Sequence, residues 1–357
     1  MKRVVFYDDL ALAPYSAATL DVASNGIGGA EASVARVAIK LSEAHQVTVA
    51  QRRRHHSEGS DLLRWIPLAE ARDELARAHA IVVVRKPRHM ITARRFNKDA
   101  PVFLWYHDWN MPVRSVTPLK LRLQSQLRAD AHVALHNLTG VTGVGVSRVH
   151  AQNIREHLSE ARTVRSLAAN VRVDFVYNPI PDELVSSDGS YDPTKLVFVS
   201  APWKGLDMVL EAFQEVRRAM PDMRLYVACP AYAAGDAAPT GRVAENVTFL
   251  GNLSRAGVME ELRSALCIFY PANRVPETFG CVFAESHAVG TPVLAHPFGA
   301  ARELLGHDEL VDACNVTEVV KRVRSWREGA RPVVSGNDKM RLSSVAGAWE
   351  RLLFDGA

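Results

Sequence analysis

The sequence predicts an α/β fold of two Rossmann-like domains that face each other across a cleft, followed by a C-terminal helix. Short apolar strands alternate with helix-patterned segments, which is typical of parallel, doubly wound sheets. This alternation stops near residue 178 and then starts again. The 357 residues are enough for two domains of roughly 100–200 residues each.

The first half carries one round of this alternation. A helix is predicted over 30–44, where Val34, Val37 and Leu41 recur at helical spacing, and Ser147 is placed to cap a later helix. Strands are predicted at 4–7, 47–50, 80–84, 102–106 and 142–146.

The second half repeats the pattern after a proline-rich break at residues 178–181 and a polar stretch at 186–193. The predicted domains are therefore 1–178 and 179–340, with a final helix over 341–357 that could pack across both. Strands are predicted at 196–200, 224–229, 247–250, 267–270 and 292–296, and helices at 205–219, 256–265 and 282–289. Because ligands of such sheets bind at the carboxyl ends of strands, we expect the chemistry on the loops that follow them.

The net charge of +4 is unevenly distributed. Residues 1–175 carry 25 Lys and Arg against 16 Asp and Glu, a net +9, whereas residues 176–357 carry 18 against 23, a net −5. This asymmetry favours an anionic partner for the first half, and either a membrane surface, a phosphorylated lipid or nucleic acid would fit. We expect an anionic membrane, contacted through residues 85–88 and through Arg94 and Arg95.

The chain has no apolar run near the roughly 20 residues of a membrane span. Asp8 and Asp9 interrupt its apolar start before an export signal could form, so we expect a cytoplasmic protein, peripheral at the inner face of a membrane. None of the four cysteines forms a Cys-x-x-Cys pair and there is no Asp-x-Asp, so no metal or other cofactor is expected.

Three groups of residues could carry chemistry. Gly28 and Gly29 open a helix, where backbone N–H groups attract phosphate, and Lys204 follows a strand, where it could reach a diphosphate. Glu277 follows another strand, and Glu285 lies in an apolar helix, where a carboxylate needs a partner such as a sugar hydroxyl. Taken singly, each group also fits an ordinary turn, an exposed lysine or a helix cap.

In combination these residues resemble family 4 of the retaining glycosyltransferases, also called glycosyl transferases group 1, which have the GT-B fold. The resemblance is strongest over 246–305, where the two glutamates precede Gly-Thr-Pro-Val and a Gly-x-x-x-Glu that ends at Glu303. Gly28-Gly29-Ala30-Glu31, Lys204-Gly205-Leu206-Asp207 and Tyr106-His107-Asp108 are similar to three further family motifs. An arginine that commonly precedes the family's lysine is missing here, where residues 199–201 are Val-Ser-Ala.

The resemblance implies a role for each matching residue. The first domain would bind the acceptor and the second the nucleotide-sugar donor. Lys204 and the backbone of Gly28 and Gly29 would hold the diphosphate, Glu277 the donor sugar and Glu285 the ribose. His107 would lie beside the transferring sugar, so that His107, Lys204 and Glu277 are the expected catalytic residues. The remaining expected donor-binding residues are Thr278, Phe279 and Gly280.

The implied reaction moves a hexose from a UDP- or GDP-sugar to a saccharide or lipid-linked acceptor, in the synthesis of cell-surface polysaccharide or glycolipid. It needs no metal, since fixed cations can stabilise the departing diphosphate. Retention of configuration suggests attack on the same face that the phosphate leaves.

Three alternatives stay open. A nucleotide-sugar epimerase could use the same two domains. A retaining glycosidase would need two carboxyl groups about 5 Å apart. Glu277 and Glu285 are eight positions apart, which along a helix corresponds to about 12 Å. A basic nucleic-acid-binding protein is disfavoured because few aromatic residues interleave the clusters at Arg52–Arg54 and Arg94–Arg95.

Overall fold

The computed structural model describes residues 1–20, 27–110, 119–186, 189–229 and 245–355. Of residues 119 and 120 it describes the backbone alone. Residues 187 and 188 of the predicted polar stretch, and residues 356 and 357 of the predicted final helix, lie outside the described residues. By its internal contacts the chain divides into two compact units. The first comprises Met1–Ala17, Ala30–Pro179 and Leu342–Ala357, and the second comprises Ala18–Gly29 and Ile180–Arg341.

The described strands are β1 (Arg3–Asp8), β2 (Gln46–Gln51), β3 (Glu58–Gly59), β4 (Leu63–Pro67), β5 (Ala80–Val84), β6 (Val102–Trp105), β7 (Thr142–Gly145), β8 (Val173–Phe175), β9 (Asp192–Val199), β10 (Arg224–Ala228), β11 (Val247–Gly251), β12 (Ala265–Tyr270) and β13 (Val293–Ala295). The described α-helices are α1 (Gly29–Leu41), α2 (Ala71–Arg77), α3 (His89–Phe96), α4 (Leu119–Thr139), α5 (Arg148–Ser159), α6 (Arg165–Ala168), α7 (Leu206–Ala219), α8 (Arg255–Arg263), α9 (Cys281–Ala288), α10 (Ala301–Leu304), α11 (Val316–Ser325) and α12 (Leu342–Phe354).

The sheet of the first unit has eight strands in the order β3-β4-β2-β1-β5-β6-β7-β8. All neighbours are parallel except β3 and β4, which form a short antiparallel hairpin. The central strands are continuous apolar runs because helices cover both faces of such a sheet, and all five residues of β5 are buried.

The sheet of the second unit has five parallel strands in the order β11-β10-β9-β12-β13. Each sheet places its first strand in the interior, adds strands on one side and then returns to the other side. This strand order defines the doubly wound, Rossmann-like topology. The predicted fold class, α/β with two Rossmann-like domains, is therefore confirmed.

Local signals in the sequence account for the ends of several elements. Ser147 caps α5 as expected, because its hydroxyl accepts a hydrogen bond from the backbone N–H of His150 at 3.0 Å. The last helix, α12, belongs to the first unit, where Trp349 packs against Trp105 with ring centroids 4.7 Å apart. The final helix thus completes the core of the first unit.

Candidate active site

The strand order of the second sheet brings the loops after β9 and β12 together. These two strands are neighbours, yet the chain leaves β9 toward β10 and leaves β12 toward β13, so their following loops diverge and open a crevice. Lys204 lies in the loop after β9, and Glu277 lies in the loop after β12. Two of the predicted catalytic residues therefore share the topological switch point.

The Lys204 ammonium group is held between both oxygens of Glu277. Its Nζ atom lies 2.8 Å from Oε1 and 2.9 Å from Oε2. The Tyr270 hydroxyl at the end of β12 donates to the same Oε1 atom at 3.2 Å. Burial, and then the charge of Glu277, raise the pKa of Tyr270 well above its usual value, so the hydroxyl keeps its proton. The three side chains form a cluster in which a cation and a donor hydroxyl orient one carboxylate.

The backbone of Glu277 is fixed as firmly as its side chain. Glu277 forms a parallel bridge with Gly299, and its carbonyl oxygen accepts from the N–H of Ala300 at 2.8 Å. Gly299 has a φ of 60°, and a Cβ atom there would overlap the backbone of Glu277. The glycine of the predicted Gly-x-x-x-Glu motif is thus required by the close approach of these two loops.

The segment after Glu277 leads into α9. Thr278 is partly buried, Phe279 is buried, and Gly280 precedes the helix with a φ of 82° that favours glycine. The N-terminus of α9 therefore follows Glu277 by four residues and presents the positive end of its dipole at this edge. Such an end suits a phosphate group.

Two further predicted residues lie along α9. A Cβ atom on Gly29 would lie 3.5 Å from Cys281 Sγ, so the glycine pair Gly28-Gly29 lies beside the first residue of the helix. Glu285, one turn later, is buried as its apolar surroundings suggested. Its Oε1 atom accepts from Arg255 NH1 at 2.7 Å. The sequence analysis did not identify Arg255 as its partner.

In the first unit, His107 follows β6 at the carboxyl edge of the sheet. Its ring packs on Trp105 with centroids 4.7 Å apart, and its Nε2 atom is buried without a hydrogen-bond partner among the described residues. Burial, and then Arg85 and His150, lower the pKa of His107 well below its usual value. The imidazole is therefore neutral at physiological pH and keeps an unused polar atom.

Two side chains of α5 hold the backbone just after His107. His150 accepts the Val146 N–H through Nδ1 at 3.2 Å, so its Nε2 carries the hydrogen and donates to the Asp108 carbonyl at 3.0 Å. Asn153, one turn later, accepts the N–H of Asn110 at 2.9 Å and donates to its carbonyl at 2.7 Å. The sequence analysis missed both residues, which fix the position of His107 indirectly.

A second buried group of charges lies at the switch point of the first sheet. Asp8 ends β1, and Arg85 follows β5, the neighbouring strand on which the chain returns. Arg85 NH2 lies 2.8 Å from Glu31 Oε1 and 3.4 Å from Asp8 Oδ1. Arg85 also has a φ of 63°, an uncommon backbone conformation for a residue with a side chain. Asp8 directly after one strand and Arg85 directly after another were the sequence signals for this cluster.

The basic residues that the sequence analysis assigned to a membrane surface are largely engaged within the first unit. The Arg85 side chain is 13% exposed, and Arg88 pairs with Asp9 at 2.7 Å. Arg94 donates to the backbone carbonyl groups of Thr139, Lys98 and Ala100. The guanidinium groups of these three arginines stabilise loops at the ends of the strands.

Among the residues that the structure describes, no three His, Cys, Asp or Glu side chains come together in a way that would hold a metal ion. No helix in the described part of the chain is both long enough and apolar enough to span a membrane.

Comparison with known proteins identifies relatives of this chain. Residues 190–339 match the family model described as glycosyl transferases group 1. The chain is 33% identical over 183 residues to the phosphatidyl-myo-inositol mannosyltransferase of Mycobacterium tuberculosis, which covers 51% of this chain and 45% of that protein. It is 37% identical over 106 residues to the D-inositol 3-phosphate glycosyltransferase of Segniliparus rotundus, covering 28% of this chain and 23% of that protein. The chain thus spans about half the length, or less, of the curated relatives it matches.

The fold is shared more widely than the sequence. The sucrose-phosphate synthase of Thermosynechococcus elongatus superposes on the whole chain, with a TM-score of 0.67, 14% identity and full coverage of both proteins. Residues 190–339 thus match the glycosyl transferases group 1, and the two Rossmann-like units have the GT-B fold.

Proposed function

We propose that the protein is a retaining hexosyltransferase that uses a UDP- or GDP-sugar as donor. The observation that carries this proposal is the cluster of Lys204, Glu277 and Tyr270 at the switch point of the second sheet. A cation, a carboxylate and the N-terminus of α9 at one edge are the groups needed to bind a diphosphate next to a sugar. The family match over residues 190–339 supports the same function.

Each residue of the cluster has a role in the proposed reaction. Glu277 accepts hydrogen bonds from hydroxyl groups of the donor sugar. Lys204, released in part from Glu277 when the donor binds, stabilises the charge that develops on the departing diphosphate. The Gly28-Gly29 backbone, together with residues 278–280 at the start of α9, surrounds the same phosphates. Glu285 binds the ribose.

His107 is the proposed catalytic contribution of the first unit. Its neutral imidazole, with a buried and unused Nε2 atom, suits a hydrogen bond to a sugar hydroxyl. A neutral group at this point adds no repulsion while the sugar becomes cation-like in the transition state. We propose same-face attack, in which the leaving phosphate helps to deprotonate the acceptor and no carboxylate nucleophile is required. Trapping of a glycosyl adduct on any side chain would overturn this mechanism.

We propose that the reaction is metal-independent, because Lys204 and the dipole of α9 supply fixed positive charge where the leaving group departs. Transfer rates measured with and without a chelator such as EDTA test this point, and they should agree. A loss of activity on chelation that added Mg²⁺ restores would contradict it.

We propose a saccharide or lipid-linked acceptor, used in cell-surface polysaccharide or glycolipid synthesis at the cytoplasmic face of the membrane. Support comes from the similarity to the phosphatidyl-myo-inositol mannosyltransferase of Mycobacterium tuberculosis. The net charge of +9 over residues 1–175 suits an anionic acceptor or surface.

The donor can be tested first. Thermal unfolding of the full chain with UDP-, GDP- and ADP-sugars should show stabilisation by a UDP- or a GDP-sugar, since a ligand that binds only the folded state raises the melting temperature.

Glu277→Ala should then abolish most of the transfer measured with that donor, and its far-ultraviolet circular dichroism should match the wild type. Wild-type transfer by Glu277→Ala would remove the proposal, and conversion of the donor to an isomer without acceptor would identify an epimerase instead. The anomeric proton couplings of the product decide between retention and inversion.

A further inference from the structure

Helix α4 of the first unit carries an outward apolar stripe, beside which Arg122 and Arg128 are also exposed. Its exposed positions after the first turns include Leu123, Leu127, Ala131, Ala134 and Leu138. These positions are spaced by 4, 4, 3 and 4 residues, so they lie on one side of the helix. The stripe is about 22 Å long at 1.5 Å per residue.

The leucines of this stripe are unusually exposed for a helix on a globular unit. Leu127 is 67% exposed and Leu138 is 78% exposed, while Ala129 and Val133 on the opposite side are fully buried. The helix therefore packs one face into the unit and presents a second apolar face outward. A continuous apolar stripe of this kind marks a surface that binds something.

Positive charge flanks the stripe. Arg122 and Gln126 of α4, together with Arg155, Arg162 and Arg165 of the α5–α6 region, line a cavity of about 1130 Å³. The carboxylate of Asp130 accepts the backbone N–H groups of residues 162–164 at 2.8–3.2 Å and so ties this region to α4. Glu156 and Glu160 also line the cavity, so its four arginines outnumber its acidic residues by two.

Three of these arginines are available to an external ligand. Arg122, Arg162 and Arg165 are exposed, and none forms an ion pair with any residue that the structure describes. This distinguishes them from Arg85, Arg88 and Arg94, whose guanidinium groups pair with carboxylates or backbone carbonyl groups of the unit. The charge that could meet an anionic partner is therefore at α4 and α6.

We propose that this surface, termed the Leu–Arg face and defined by Leu123, Leu127, Leu138, Arg162 and Arg165, docks the protein onto an anionic lipid bilayer. The apolar stripe would lie in the headgroup region, as the apolar face of an interfacial amphipathic helix does. The arginines beside it would contact lipid phosphates. Residues that the sequence analysis did not single out thus replace residues 85–88 and Arg94 as the membrane contact.

Charge complementarity favours a bilayer over a second copy of the chain. Self-association through the Leu–Arg face about a two-fold axis would bring the same unpaired guanidinium groups of two copies toward one another. An anionic surface instead compensates all of them at once. The proposal concerns binding alone, so it can fail or succeed whatever reaction the protein catalyses.

Flotation of the full chain with vesicles tests the proposal. We expect binding to phosphatidylcholine vesicles that contain phosphatidylglycerol, much weaker binding to pure phosphatidylcholine, and a decrease with added salt. The double variant Leu127→Gln, Leu138→Gln should weaken binding about tenfold or more. Arg162→Gln, Arg165→Gln should weaken it about fivefold for each charge removed.

Matched controls come from exposed residues elsewhere in the first unit. Leu62→Gln and Ile91→Gln, which are 43% and 47% exposed, should leave vesicle binding unchanged, as should Arg95→Gln. Binding that does not depend on phosphatidylglycerol, or that the controls weaken as much as the Leu–Arg variants do, would overturn the proposal. So would light scattering that shows a wild-type dimer converted to a monomer by Leu127→Gln, Leu138→Gln, which would assign the face to self-association.

Discussion

The switch points of the two sheets carry the same kind of charge pair in opposite order. In the first unit a carboxylate, Asp8, ends the first strand, and a cation, Arg85, follows the strand on which the chain returns. In the second unit the cation Lys204 follows the first strand, and the carboxylate of Glu277 follows the returning one. The carboxyl edges of the two sheets therefore share one topology. They differ in how tightly the charge pair is held.

Arg85 is the more constrained of the two cations. It is 13% exposed and shared between Glu31 and Asp8, whose side chains are 8% and 0% exposed. Lys204 is 29% exposed and pairs with Glu277, a carboxylate that is 13% exposed and also has a hydroxyl partner. A buried guanidinium with two carboxylates forms part of a scaffold, whereas a single, more open ammonium can exchange its partner for a ligand. Burial thus distinguishes a structural pair from an adaptable one.

The largest expected contrast is in the free energy of unfolding, when the cation of each charge pair is replaced. Arg85→Met leaves two buried carboxylates without their cation, so we expect it to lower the free energy of unfolding by about 3–5 kcal/mol. Lys204→Met leaves one carboxylate that keeps the Tyr270 hydroxyl, and the loss should be no more than about 1–2 kcal/mol. Urea unfolding followed by tryptophan fluorescence measures both.

The control for the Arg85 variant is Arg85→Lys, which keeps the charge but not the forked geometry and should lie between the wild type and Arg85→Met. Equal losses for Arg85→Met and Lys204→Met would mean that burial does not separate the two pairs, and the comparison would fail.

Activity should show the reverse order. Lys204→Ala removes the fixed charge proposed to stabilise the leaving diphosphate, so kcat should fall by about 10²–10³-fold, the range found when one electrostatic donor is removed from an active site. Lys204→Arg should recover part of the rate. Lys321→Ala, an exposed lysine of the same unit, should have no effect. A fall in kcat of less than about fivefold for Lys204→Ala would remove Lys204 from the catalytic residues.

The sequence predicted the alternation of strands and helices wherever the apolar pattern of an element is clear. Apolar strands such as β5 and β12 are buried on both faces, so their sequences are continuous apolar runs that are easily recognised. The sequence analysis predicted no helix at α2, α3, α4, α6, α10 or α11, and two of these show the physical reason. Helix α4 has leucines on its outward face as well as Ala129 and Val133 on its inward face, which hides the helical period. Helix α6 is only four residues long.

The candidate site was predictable mainly where a side chain follows a strand or, as with Glu285, interrupts an apolar helix. Lys204 and Glu277 were found in this way, and their contact at 2.8 Å follows from the neighbouring positions of β9 and β12. Arg255 and His150 act through partners 30 residues away and 42 residues away. Pairings over such separations depend on strand order and helix packing, which a single sequence does not specify.

Acid stability offers a further contrast between the units. All the histidines with a lowered pKa in the described chain lie in the first unit. Burial holds the pKa of His150 and of His157 at about 4, and that of His132 at about 3, against 6.5 for an unperturbed histidine. The folded unit therefore keeps these side chains neutral where the unfolded chain would bind protons. Their contribution to stability is complete above pH 6.5 and is lost as the pH falls toward 4.

Each such histidine should reduce the free energy of unfolding by up to about 1.4 kcal/mol per pH unit in this window. Unfolding of the first unit, followed through Trp105 and Trp349, should therefore shift strongly between about pH 7 and about pH 5. His157→Gln, which can still hydrogen-bond to His132, should flatten the dependence. His307→Gln, at a side chain that is 99% exposed, should not. An unchanged slope in His157→Gln would show that this histidine binds protons equally in the folded and unfolded states.

The smallest expected effect concerns the second charge pair of the second unit, Arg255 with Glu285. This pair is more buried than Lys204–Glu277, at 18% and 9% exposure, and so resembles the scaffold pair of the first unit. Yet Arg255 NH2 is buried without a partner among the described residues, which leaves one donor unused.

If Glu285 binds the ribose, this donor suits the nucleoside end of the substrate, away from the bond that breaks. Arg255→Leu should therefore raise KM for the donor about tenfold and leave kcat within about twofold. Arg255→Lys, which restores the charge to Glu285 but not the second donor, should recover less than half of the lost binding free energy. A fall in kcat with KM unchanged would instead place Arg255 with Lys204 among the groups that stabilise the leaving diphosphate, as a replacement for the arginine missing before it.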